Sequence, residues 1–284
     1  MKVLSILPIE AESGCGCSGQ DSAIETSPLH SHTFYEFFYV FSGRAIHHIN
    51  DKNSVVSQGS LVFIRPHDVH TYFPIESYNF ALVSLGFEPE ALETLVRETE
   101  LDIRPLLESA TPPCVPLKGS DRLFVEKCLR SIQQSAFGLE RRRLFHVFFP
   151  LFFYLMEKEQ SSKDELIPPW LSFVVEQMSK RENFTVGLSQ LYDLSGYSAE
   201  YTTRCFRKYL NTTPTELINN NRINYAAKLL RSTKDSVADV CYAVGFNNLS
   251  YFYDVFRKFL NCTPGRYARQ MRRQTELQAT YAQI

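Results

Sequence analysis

FRKYLNTTP at 206–214 returns as FRKFLNCTP at 256–264, with seven of nine positions identical. Chance does not explain that agreement, so this part of the chain holds one structural unit twice. Upstream, LSQLYDLSGYS at 188–198 parallels VADVCYAVGFN at 237–247, and in each an aromatic residue follows the glycine, Gly196 or Gly245. Each copy reads as an apolar helix, a glycine-containing turn and a second, amphipathic helix, which is a helix-turn-helix. Asn211 and Asn261 fall just past the second helices, where a residue able to turn left-handed closes a helix, and Pro214 and Pro264 follow as stops. Between the copies, TELINNNRINYAAKLLRS carries Leu217, Ile218, Ile223, Ala226 and Leu230 at the spacing of a connecting helix.

Charge separates this repeat from the rest of the chain. The net charge of −1 hides 15 Lys and Arg against 9 Asp and Glu in residues 168–284, net +6, and 15 against 22 in residues 1–167, net −7. A basic domain behind an acidic one is the electrostatic footprint of a polyanion partner. The boundary falls in EQSSKDELIPPW, at about 159–169, polar and then proline-rich. With 284 residues, 44% of them hydrophobic and 21% charged, the chain has material for two cores and reads as soluble and globular. No stretch reaches the ~18–20 apolar residues of a membrane span; the nearest, LFHVFFPLFFYLM at 144–156, contains His146 and Pro150. The first residues have too short an apolar core and too few basic residues for a signal peptide, so a cytoplasmic protein with no membrane partner is expected. Seven cysteines, an odd count mostly placed singly in apolar patterns, fit reduced thiols. Cys15 and Cys17 lie in a Gly/Ser-rich segment read as a flexible leader, with no role assigned.

The acidic half has its own signature, LHSHTFYEFFYVFSG at 29–43. Side chains alternate along a strand, so the even-numbered His30, His32 and Glu36 would share one side of an extended segment. The aromatic run between and beyond them is apolar on both faces, which predicts a strand buried on both. A second strand, SLVFIRP after Gly59, runs into HDVHTYF, which supplies His67 and His70. Three imidazoles with a carboxylate suit Zn, Mn, Fe, Ni or Cu without choosing among them. Helical spacing then predicts helices over 120–137 and 139–159, the second with Phe148, Leu151, Phe152 and Leu155 on one face, packed on the sheet or paired with a second subunit.

Two resemblances follow from these residues. His30, His32, Glu36 and Gly43, with Gly59 and His70, resemble the two cupin motifs, although Ile24, Arg65 and His67 depart from the usual Gly, Pro and Gly. That resemblance implies a β-barrel with His30, His32, Glu36 and His70 as metal ligands; Arg65, His67, Tyr72 and Phe87 are the candidate effector contacts. ADVCYAVGFNNLSYFYDVFRKFLNCTPGRYAR at 238–269 resembles the signature of the AraC/XylS transcription regulators, with Thr202 and Cys205 of the first copy standing where that family has larger apolar residues. HSHTFYEF, INDK, PPWL and NNNRINYAAKLL are most similar to regulators of chitobiose utilisation operons.

The expected architecture is therefore α+β: a leader (1–22), a sensing barrel (23–115), a helical dimerisation or relay segment (116–160), a double helix-turn-helix domain (167–270) and a tail (271–284). Matching the family's pattern makes Glu200, Thr203 and Arg204, then Ser250, Tyr253 and Asp254, the expected base readers, with Asn248 a further expected DNA contact. Arg207, Lys208, Arg257 and Lys258 are the expected phosphate contacts. The implied partners are double-stranded DNA, a small effector of sugar type, a second copy of the chain and RNA polymerase. The alternative is a metal-dependent cupin enzyme, an oxygenase or sugar isomerase, that carries a DNA-binding tail.

Overall fold

The structure is a computed structural model that describes residues 2–3, 15–18, 28–75, 80–99, 101–134, 139–158 and 166–271. Apart from the short segment 75–78, the chain divides into two compact units between Ile167 and Pro168.

The first unit is built from two facing sheets. Strands β1 (Lys2–Val3), β2 (Cys15–Ser18), β3 (Tyr35–Ser42), β6 (Ser60–Ile64), β8 (Ala81–Phe87) and β9 (Cys114–Pro116) form the larger sheet, in the order β1-β8-β3-β6-β9 with β2 also paired to β8. Strands β4 (Arg44–Ile49), β5 (Lys52–Ser57) and β7 (His70–Pro74) form the smaller one, in the order β5-β4-β7. Among the described residues the expected barrel is thus two sheets rather than one continuous ring. Residues 15–18 of the expected leader are not loose: they pair antiparallel with β8, covering an edge that would otherwise present unpaired backbone groups.

β3 is buried on both faces, and its period of two divides the unit's core. Phe37 and Tyr39 point outward with Leu61, Phe63, Val83, Leu85 and Phe87, where helices α1 (Pro89–Thr99), α2 (Arg104–Leu107), α3 (Gly119–Gln134) and α4 (Leu139–Lys158) cover them. Phe38 and Val40 point inward and meet Ala45, Ile49, Val56 and Tyr72 of the small sheet. Of the two expectations for the second helix, the structure shows the packing on the sheet: its apolar face is part of this unit's core. Phe152 is 1% exposed and its ring centroid lies 5.6 Å from that of Phe37. Among the described residues of the pair, the exposed large apolar side chains are Leu123 and Phe124 of α3 and Tyr154 of α4.

The second unit is all helix: α5 (Pro169–Met178), α6 (Arg181–Val186), α7 (Leu188–Ser195), α8 (Ala199–Leu210), α9 (Pro214–Ser232), α10 (Val237–Ala243) and α11 (Leu249–Leu260). α7 with α8 and α10 with α11 are the two helix-turn-helix copies, and α9 is the connecting rod. Local chemistry sets the boundaries. Ser198 and Asn248 cap α8 and α11, Thr213 with Glu216 and Ser236 with Asp239 form capping boxes, and Asn211 and Asn261 close α8 and α11 at φ 47° and 55°. Arg222 of α9 ties the unit together: it donates to the carbonyls of Phe184 and Thr185 and lies over the Phe246 ring of the second turn.

The two copies differ at their turns. Gly196 has φ 67° with open space around its Cα, whereas Gly245 has φ 92° and packs against the backbone of Thr185. Gly245→Ala should therefore lower the stability of this unit by at least about 2 kcal/mol, combining backbone strain with a clash, and Gly196→Ala by about 1 kcal/mol. Urea unfolding followed by helical circular dichroism checks the order; equal losses would contradict it.

Candidate functional site

Two sets of residues carry chemistry, one in each unit. In the first unit the chain does not run straight from His30 into the strand. β3 begins at Tyr35, and residues 31–34 turn, with His32 Nδ1 donating to the Phe34 carbonyl at 2.7 Å. This turn brings His32 Nε2 to 3.0 Å from Glu36 Oε2. His70, at the start of β7, places its Nε2 3.7 Å from the same oxygen. His32, Glu36 and His70 offer one ligand atom each within 4.8 Å of one another. His30 leaves the expected quartet: its backbone bridges to His70, its Nδ1 bonds the Pro28 carbonyl, and its ring stands beside His70 without joining that cluster. Shared parity fails for it because the segment is not one extended strand.

Small residues and rings hold the trio. Phe34 stacks on His32 at 4.2 Å, and Gly86 makes room for it, since a Cβ there would meet the Phe34 ring at 3.0 Å. Burial pushes the Glu36 carboxyl up, but hydrogen bonds from His32 and Ser84 and the field of His70 hold it below its ordinary value. Burial pushes His32 down, and Glu36 more than offsets this, so its pKa is raised. Both His32 nitrogens then donate, one to a carbonyl and one to a carboxylate. His70 differs: burial brings its pKa down to about 4, so it stands neutral beside Glu36. Its Nδ1 bonds the Tyr72 hydroxyl at 3.2 Å, and its Nε2 is buried with no hydrogen-bond partner. The bare His70 nitrogen and the Glu36 carboxylate, with His32 Nε2 once a metal displaces its proton, are a donor set that fits a divalent metal.

Of the expected effector contacts, Tyr72 faces this interior, with its ring on His47 and Phe38. The other three do not. Phe87 lies on the opposite face of the large sheet, against Phe37 and Phe149. His67 is exposed at a turn with φ 72°, the conformation that a glycine there would take more readily. Arg65 is engaged elsewhere: it donates to both oxygens of Asp68 and to the carbonyls of Leu107 and Ser109. His47, which no motif in the sequence marks, is buried, neutral because burial pushes its pKa well down, and unpartnered at Nε2. Its only signal was alternation along β4, where it shares a face with Ala45 and Ile49.

In the second unit, Glu200, Arg204, Arg207 and Lys208 form an exposed strip on α8 with Thr203 half-buried beside it. Ser250, Asp254, Arg257 and Lys258 repeat the strip on α11. Tyr253 is half-buried against the core of its copy, and the Asn248 side chain caps α11, which occupies its carbonyl oxygen. Tyr201 and Tyr251, also exposed and at the same place in each copy, were not predicted, although the repeat aligns them. Arg204 lies over Tyr201 at 5.2 Å, and the Tyr251 hydroxyl accepts from Asn219 of α9. Thr202 is fully buried and its hydroxyl pairs with Ser195 at 3.1 Å, where the second copy packs Phe252 near Val244.

Comparison with known proteins fits this division. Residues 15–120 match a family described as an AraC-like ligand binding domain, and residues 191–270 one described as a helix-turn-helix domain. The HTH-type transcriptional activator RhaR of Mannheimia succiniciproducens is 24% identical over 84% of this chain and 86% of its own length. The activator RhaS of Escherichia coli is 25% identical over the same shares. Among solved structures, apo ToxT from Vibrio cholerae aligns over 91% of this chain and 98% of its own at 17% identity, with a TM-score of 0.42. A ligand-binding domain followed by two helix-turn-helix copies places the chain in the AraC family, as a DNA-binding transcription regulator.

Proposed function

We propose that this regulator reads DNA with both recognition helices and changes promoter activity when a small effector, a sugar or sugar derivative such as a chitooligosaccharide, occupies its N-terminal unit. The observation that carries this reading is the repeated strip. Two helices joined by a rod expose an Arg-Lys pair at the same place, Arg207–Lys208 and Arg257–Lys258, beside residues of different chemistry, Arg204 and Asp254. The shared pairs suit phosphates, which are the same at every step of DNA, and the differing residues suit base edges. Arg204 pairs with guanine; Glu200 or Asp254 accepts from cytosine. The sugar class rests on the sequence resemblance. Activation through RNA polymerase is the polarity that the names of the relatives favour, and a regulator rather than an enzyme is the role those names support.

His32, Glu36 and His70 would hold a divalent metal, which would supply a Lewis-acidic anchor for effector hydroxyls. The protein's own groups do the rest. Phe34 and the carbonyl it presents orient His32, Tyr72 orients His70, and Ser84 steadies Glu36. A second copy of the chain would seat on Leu123 and Phe124, which are 66% and 51% exposed on one helix; Tyr154, on the helix that packs against it, is exposed as well.

Three outcomes test these statements. Arg204→Ala should cost about 1–3 kcal/mol on the operator and relax preference at one base pair, whereas Arg257→Ala should weaken all sequences alike and lower the salt slope by about 1. Equal losses on operator and random DNA for both variants, in fluorescence anisotropy titrations, would defeat the assignment. Elemental analysis of protein purified without chelator should find one metal per chain, lost in His32→Ala; absence of metal from the wild type would leave an ordinary polar pocket. Phe124→Glu should halve the mass seen by light scattering while Tyr154→Phe does not, because only the first places a charge in the contact.

A further inference from the structure

The inner face of the small sheet carries a second polar group that the trio does not use. Cross-strand register sets Lys52 and Ser54 of β5 beside Ile49 and His47 of β4, and these beside His70 and Tyr72 of β7. Residues opposite one another in a ladder share a face. β7 therefore delivers its polar side chains to Glu36, and β5 delivers its own to a separate cavity of about 410 Å³. His47, on the middle strand, belongs to both neighbourhoods. It lines the cavity, stacks on Tyr72 at 5.1 Å, lies 5.8 Å from His70, and is 2% exposed with Nε2 unpartnered.

The lining has a definite chemistry. Lys52 is its one charged residue, and among the described residues that ammonium reaches only the Ala110 carbonyl, at 3.4 Å. No carboxylate lines the cavity. Hydroxyls come from Ser54, Ser109 and Thr111, a thiol from Cys114, and the remaining wall is aliphatic or proline. Apart from the imidazole there is no aromatic face on which a neutral sugar ring could stack. One ammonium, with no guanidinium and no second fixed cation in the lining, balances a single negative charge. That is a carboxylate rather than a phosphate dianion.

We propose that this cavity binds a small hydroxylated carboxylate, a sugar acid or hydroxy acid, with Lys52 on the carboxylate and His47 on a hydroxyl. The proposal rests on reading the N-terminal unit as the effector-binding unit, and among sugar derivatives it selects those that carry a carboxylate over neutral oligosaccharides. It also names where occupancy is felt. Leu166 forms part of the wall, and the next residue, Ile167, donates its N–H to the Asn53 carbonyl at 3.0 Å, between Lys52 and Ser54. The chain then passes into α5 of the helical unit. Ser109 also lines the cavity, and Arg65 holds its carbonyl together with that of Leu107 and the carboxylate of Asp68, two residues before His70. A ligand pressing on these walls acts on the exit of the unit and on the turn that presents the trio.

Cys114 lines the cavity and serves as a reporter. The full-length protein is treated with N-ethylmaleimide and labelling of Cys114 is followed by peptide mass mapping, with hexuronates and 2-hydroxy acids as probes against hexoses and hexose 6-phosphates. Acid probes should slow labelling in the wild type. Lys52→Gln, a half-exposed position whose replacement leaves the fold intact by melting temperature, should weaken that protection about tenfold. His47→Gln, which keeps a hydrogen-bonding group, should weaken it less. Protection by neutral hexoses equal to that by the acids, stronger protection by the phosphates, an unchanged Lys52→Gln, or no protection by any acid each overturns the proposal. Operator binding by the same samples without probe is scored separately, so that failure of the regulator reading and failure of the cavity are distinguishable.

Discussion

Strand β3 has no surface exposed to spare on either side. From Glu36 to Val40 every residue is buried, so alternation alone decides which side chains enter the helix-covered core and which enter the space between the sheets. A slip of one residue would move Phe37 into that space and Glu36 into an apolar layer of phenylalanines, where an uncompensated charge is costly. The same alternation therefore fixes the sheet's register and the position of the acidic ligand. The aromatic interlock of Phe37 with Phe149, Phe152 and Phe153 anchors one side of the strand, and hydrogen bonds from His32 and Ser84 to Glu36 anchor the other.

Between the sheets, polarity is concentrated rather than dispersed. Glu36, His32, His70, Tyr72 and His47 lie in sequence-distant elements yet within ring-contact distance of their neighbours, surrounded by Phe38, Val62 and Ile64. Such a network is specific because few alternative packings satisfy it. Two of its nitrogens stay unpartnered, on His47 and His70, and these are the atoms to which a bound group has most to contribute.

The helical half was legible because its determinants are local. Asn211, Asn261, Ser198 and Asn248 act on their own helix ends, and the repeat aligned the two strips residue by residue. The sensing half was legible only in part. A strand apolar on both faces does not say which face is the pocket, and so Phe87 was assigned to the wrong one. His30 was lost to a turn at 31–34 that no spacing rule anticipates. Arg65 was read as a ligand clamp, but its partners, the carbonyls of Leu107 and Ser109, lie some forty residues away and are set by tertiary packing. The Thr202 position shows the intermediate case. A smaller residue was visible in the sequence, whereas the hydroxyl pair with Ser195 that satisfies it needed the fold.

The same two-faced strand shapes how the chain is made. Phe37 and Tyr39 emerge from the ribosome long before Phe149, Phe152 and Phe153, the side chains that cover them. At ~5–20 residues per second, synthesis leaves that aromatic face waiting on the order of 10 s for its helix. The helical unit, whose contacts are close in sequence, has no comparable delay. The nascent sheet is thus the part of the chain whose apolar face stays uncovered for that interval, a property of the order of synthesis rather than of the stability of the finished protein.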